Sequence, residues 1–150
     1  MNGADVTRLA RADPSIQRHF LGVYNMSDDW PEPVSLPACY VINTDDAEGP
    51  GEHWVAFFID KDLSGDFFDS YGMHPMKKTL KWLRERTICV HYNTLWLQSP
   101  SSMVCWAYCL YFLRKRSTGA TLDEALAIFK QFDFEENDRI VMSFFSVPSD

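Results

Sequence analysis

Residues 98–116 read QSPSSMVCWAYCLYFLRKR, and the rest of the chain is best understood from this stretch outward. Ser99-Pro100-Ser101-Ser102 has the composition of a capping loop. From Met103 the residues are apolar or aromatic for eleven positions, ending at Arg114-Lys115-Arg116. That run is far short of the roughly 20 residues needed to cross a bilayer. It is apolar on nearly every side, so it reads as the central buried helix of a globular domain, over about 103–116. The basic triplet sits where the negative pole of a helix favours cations. Gly119 ends the element. Cys105 falls in the first turn, where the positive pole favours a thiolate, the form that attacks carbonyl groups. Taken alone, a cysteine in an apolar run is more often a small packing residue. The residue must therefore be read with its company.

That company lies upstream. Ala38 to Thr44 reads as a strand, and Asp45 to Glu52 as a loop. Trp54 to Ile59 reads as a strongly apolar strand. Asp60-Lys61-Asp62-Leu63-Ser64-Gly65 carries turn chemistry, and Phe67-Phe68 lies on a returning strand that ends at Ser70-Tyr71-Gly72. His53 stands at the head of the first strand of this hairpin, with a side chain suited to proton exchange near neutrality. Asp69 closes the second strand, where a carboxylate can orient the imidazole. Asp66 competes for that role but is expected on the opposite face, near the turn and solvated. Gln98 closes the extended segment Ile88–Leu97, seven residues before Cys105. Its amide is placed to join the Cys105 N–H in holding an oxyanion.

Elsewhere, residues 5–21 read as a short helix, a turn and a second helical turn. Trp30-Pro31-Glu32-Pro33 reads as a loop. Pro75 to Arg86 is an amphipathic helix with Pro75 in its first turn, and Asn93 is expected at a kink. Thr121 starts a further helix, and a last one is expected over Asn137 to Phe145. No repeat or second domain is evident, so residues 1–150 are read as one domain. Apolar residues are 46% of the chain and aromatics 15%, enough for a real core. The net charge of −7 argues against a broad basic nucleic-acid surface. The Lys77–Arg86 and Arg114–Arg116 clusters are read as solvated helix faces. The N-terminus lacks the form of a signal peptide, and the four cysteines are read as reduced. An intracellular protein, or one packaged in a particle, is expected.

The order His, acid, Gln, Cys at a helix start resembles adenain, the adenovirus maturation protease, and its relatives in other DNA viruses and virus-like transposons. The matching segments are Phe20 to Tyr24 (FLGVY), Cys39 to Thr44 (CYVINT), His53 to Phe57 (HWVAF), Phe68 to Gly72 (FDSYG) and Gln98 to Cys109 (QSPSSMVCWAYC). They extend over roughly two-thirds of the chain. The resemblance implies an α+β, papain-like fold reached by a permuted chain order, with a mixed sheet packed on the buried helix. It implies Cys105, His53 and Asp69 as a triad, Gln98 as oxyanion donor, and Trp54 as a wall of the substrate cleft; Trp106, next to the nucleophile, is read as a second substrate-binding residue. It further implies cleavage of viral precursor proteins, often next to glycine, by a monomer in the host nucleus or the virion. The resemblance offers Cys89 as the counterpart of the cysteine that bonds an activating peptide, although its place in an apolar strand with Ile88 and Val90 suits simple burial as well; no cofactor is needed for the chemistry, and DNA activation is not expected of so acidic a chain. The sequence departs from the family at Trp106, where glycine is common, at Asp69, where adenain has glutamate, and in a shorter C-terminal region. Three other readings remain: a deconjugating peptidase for a ubiquitin-like modifier, an inactive peptide-binding scaffold, and a module holding zinc through Cys89, His91, Cys105 and Cys109.

Overall fold

The computed structural model describes residues 1–44 and 53–145. The loop read at Asp45 to Glu52 lies outside the described residues. In chain order the elements are α1 (Gly3–Ala12), α2 (Pro14–Gln17), β1 (Phe20–Asn25), β2 (Ala38–Asn43), β3 (Trp54–Ile59), β4 (Ser64–Phe68), α3 (Lys77–Arg84), β5 (Cys89–Tyr92), α4 (Cys105–Ser117), α5 (Leu122–Leu126) and α6 (Phe134–Ser143). The strands form one five-stranded sheet in the order β1-β2-β3-β4-β5. β3 is antiparallel to both β2 and β4, while the outer strands β1 and β5 run parallel to their neighbours. The sheet is therefore mixed, as expected.

Both faces of the central strands are covered, so these strands are apolar throughout rather than alternating. The period of two still sorts their side chains. Cys39, Val41, Trp54, Ala56 and Phe58 face α4, joined by Val6 and Ala10 from α1. Tyr40, Ile42, Val55, Phe57 and Ile59 face the other way, onto Trp30 and onto Trp82 and Leu83 of α3. Every residue from Cys105 to Leu113 is buried, which makes α4 the central helix. Asp13 links α1 to α2, with its carboxylate accepting from Ser15 N and from the Arg114 guanidinium at 2.6 Å. The basic end of α4 is thus tied down rather than solvated.

Three expectations are corrected and one, the extended segment 88–97, is narrowed. Phe20 and Leu21, read as helical, belong to β1; a short apolar run does not distinguish the two states. The segment 88–97 is a strand only over Cys89–Tyr92. Helix α3 begins at Lys77, leaving Pro75 outside it. Asp66 is 3% exposed rather than solvated. It faces Arg116, whose Nε donates to Asp66 Oδ2 at 2.6 Å.

Candidate active site

One contact sets the relation of helix to sheet. The Cys109 thiol donates to the Trp54 carbonyl at 3.2 Å, pinning α4 on the first residue of β3. Cys105 is one helical turn before Cys109, and His53 is one residue before Trp54. The nucleophile candidate and the base candidate are thereby brought to the same end of the sheet, where Cys105 is close enough to act on the His53 imidazole.

The β3–β4 register pairs Ala56 with Phe68. Carried three residues further, it sets His53 opposite Tyr71, and the two rings stack at 4.9 Å. Asp69, immediately after β4, receives the His53 Nε2–H at Oδ1 over 2.9 Å. The same oxygen accepts from Tyr71 N at 2.8 Å. The Asp69 backbone is held in turn by the Asn93 side chain. Asn93 Oδ1 accepts from Asp69 N at 3.1 Å and Nδ2 donates to Asp69 O at 2.6 Å. Asn93 thus extends the ladder by imitating a backbone peptide just beyond the end of β5.

Burial by itself would lower the His53 pKa. The hydrogen bonds to Asp69 and Cys105, with their charges, outweigh it and hold the imidazole up at about 9. The ring is therefore protonated at neutral pH. Burial pushes the thiols of Cys39 and Cys109 well up, so those two are packing residues. Cys105 is 3% exposed and opens α4. No side chain caps this helix at Val104, so its positive pole is not answered by a capping group.

Gln98 is fully buried. Its Nε2 reaches Ser102 O and Ser102 Oγ, both at 3.1 Å, on the loop that leads into Cys105. Trp96 Nε1 donates to the Gln98 carbonyl at 2.7 Å. The two tryptophans are mostly core: Trp54 is 3% exposed and Trp106 is 9% exposed, with its ring on Phe145. A cavity of about 160 Å³, lined in part by Val55, Phe67, Met73 and Met76, borders His53 and Asp69 on the α3 side. Cys89 is exposed on the edge strand β5, away from α4. Among the described residues, no group of three His, Cys, Asp or Glu side chains is placed to hold a metal ion. No helix among them is long and apolar enough to cross a membrane.

Sequence reading missed the parts played by Tyr71, Ser102 and Asn93. Asn93 alone left a signal, as a polar residue at a break in an extended segment. The other two act through contacts that spacing does not reveal.

No family model matches the chain. The cysteine protease of African swine fever virus is 31% identical over 90 residues, which are 51% of this chain and 32% of the viral protein. The counterpart from a warthog isolate of the same virus, described as a SUMO-1 cysteine protease, is 30% identical over 90 residues. The chain thus spans about a third of the length of the curated relatives it matches. The crystal structure of the African swine fever virus protease superimposes with a TM-score of 0.69 at 18% identity, covering 98% of this chain and 67% of that one. The fold is therefore one used by cysteine proteases. The sequence similarity, over half of the chain, is to cysteine proteases as well.

Proposed function

We propose that this protein is a cysteine endopeptidase with Cys105 as nucleophile, His53 as base and acid, Asp69 as the orienting carboxylate and Gln98 as an oxyanion donor. One observation carries the reading: a single imidazole is hydrogen-bonded to a buried carboxylate and raised in pKa by that carboxylate and by a cysteine at the start of the central helix. The Cys105 sulfur bonds to the substrate carbonyl carbon, and the carbonyl electrons move onto oxygen. The oxyanion is held by the Cys105 backbone N–H and by the Gln98 amide, one of whose N–H groups turns from Ser102 to do so. As the carbonyl re-forms, the C–N bond breaks and the His53 proton goes to the leaving amine. Water then attacks the thioester, giving its proton to His53, and the acid product leaves as the thiol is restored.

The adenain-like resemblance and the viral relatives support a precursor protein as substrate, with glycine beside the scissile bond, processed in the host nucleus or the particle. The exposed Cys89 is the thiol open to an activating peptide. The description of one relative as a SUMO-1 protease favours a second reading, removal of a ubiquitin-like modifier by the same residues.

Alkylation tests the site without a known substrate. Iodoacetamide is expected to modify the nearly buried Cys105 faster than the exposed Cys89 at pH 7, and to lose that lead in His53→Ala. Equal rates in the wild type would sink the assignment. Fluorogenic peptides with glycine at the cleavage point, against a SUMO-1 vinyl sulfone, then separate the two readings. Cys105→Ala is expected to abolish reaction with both.

A further inference from the structure

Ser70 is buried between the two halves of the site, and nothing in the chemistry above uses it. Its hydroxyl donates to Gln98 Oε1 at 2.6 Å, and both residues are fully buried. Its carbonyl accepts from Leu97 N at 2.8 Å and from Gln98 N at 3.2 Å. The residue before it, Asp69, is the partner of His53.

An amide side chain has an acceptor end and a donor end, and its neighbours decide which way round it sits. At Gln98 the Ser102 carbonyl can only accept, so the NH₂ end must lie toward it. The opposite end is then oxygen, and among the described residues Ser70 donates to it. A hydroxyl donating to Oε1 also draws electron density from the amide, which makes Nε2–H a stronger donor. Without it, a buried carbonyl oxygen loses its partner in a dry site.

From this geometry we infer that Ser70 is a positioning residue, which clamps and polarises the Gln98 amide for oxyanion binding and couples it to the segment that carries Asp69. The inference rests on the proteolytic reading above. The Asp69-Ser70 dipeptide holds the base with one side chain and the oxyanion donor with the next. Substrate binding in the ground state needs neither, so loss of the clamp falls on kcat.

The test is a double-mutant cycle on a glycine-containing fluorogenic peptide, with wild type, Ser70→Ala, Gln98→Ala and the pair. Removing an oxyanion donor outright costs about 10²–10³ in kcat, so loosening one is expected to cost about 10-fold. The expected result is that loss in kcat with KM within about twofold of wild type. Ser70→Ala is expected to add no further loss on Gln98→Ala, and Cys105 alkylation is expected to stay at the wild-type rate. If Ser70→Ala does not fold, Ser70→Cys keeps the volume with only a weak donor and takes its place. Wild-type kcat in the Ser70 variant overturns the inference, and so does an undiminished loss in the Gln98→Ala background. A wild type with no turnover and no alkylation lead at Cys105 overturns the proteolytic reading itself, and the inference with it.

Discussion

His53 answers to two partners, Asp69 and Cys105, and the pH behaviour of the site follows from both. Asp69 and Cys105 raise its pKa from 6.5 to about 9, against the opposing effect of burial. Since the folded value lies above the unfolded one, protonation of His53 stabilises the fold fully below pH 6.5. That contribution is lost as pH rises through about 9. Melting temperatures are therefore expected to fall from pH 6.5 to 9, and to fall less in His53→Ala; parallel curves would contradict the linkage. Activity shares the alkaline limb, because above about 9 the imidazole has no proton for the leaving amine. Asp69→Asn removes the carboxylate that helps to raise His53. Its kcat/KM profile is expected to drop in height and lose activity at a lower pH than wild type. An alkaline limb at an unchanged pH would show that Asp69 does not set the His53 pKa. The sequence suggested these two residues because a histidine and an acid stood at matching ends of one hairpin. It gave no hint of the Tyr71 stack, which depends on the register beyond the paired residues.

At the scale of elements, the turn after β4 does most to place the site. Gly72 has a φ of +67°, and a Cβ there would lie 2.6 Å from Leu95 O and 2.7 Å from Thr94 O. These are backbone atoms of the segment that also carries Asn93, so no side chain can move aside. Gly72→Ala combines left-handed strain with overpacking and is expected to cost about 2–4 kcal/mol, read from the shift of the urea midpoint. A cost below about 0.5 kcal/mol would mean that the 94–95 backbone yields freely. The hairpin, α3, α4 and the capped start of α5 at Thr121 were legible, because each carries its own pattern or cap. β1 was not. Its pairing is parallel to β2 and its register shifts between Phe20 and Val23, so the order that makes it a strand comes from a distant partner rather than from its own sequence.

On the scale of the whole molecule, α4 is fastened at both ends, and the two ends do different work. Near its start the Cys109 thiol meets β3 and sets the Cys105–His53 geometry. At its finish Arg116 lies between Asp66 at 2.6 Å and Asp60 at 3.4 Å, with its side chain 10% exposed. Burial pushes the Asp66 carboxyl up in spite of this guanidinium, so the pair is held at a desolvation cost. The sequence reading of a solvated Asp66 failed because the partner is fifty residues away, on a helix whose basic end looked like a solvent face. Breaking such a pair from one side strands a buried charge. Arg116→Met is therefore expected to cost about 3–5 kcal/mol in urea unfolding at pH 7. The same variant with Asp66→Asn should recover much of that loss. Because the anchor is three helical turns from the nucleophile, the ratio of Cys105 to Cys89 alkylation is expected to match wild type well below the unfolding transition. A ratio that falls while the protein is still folded would show that the two ends of α4 are coupled, and that the helix transmits the state of its anchor to the site.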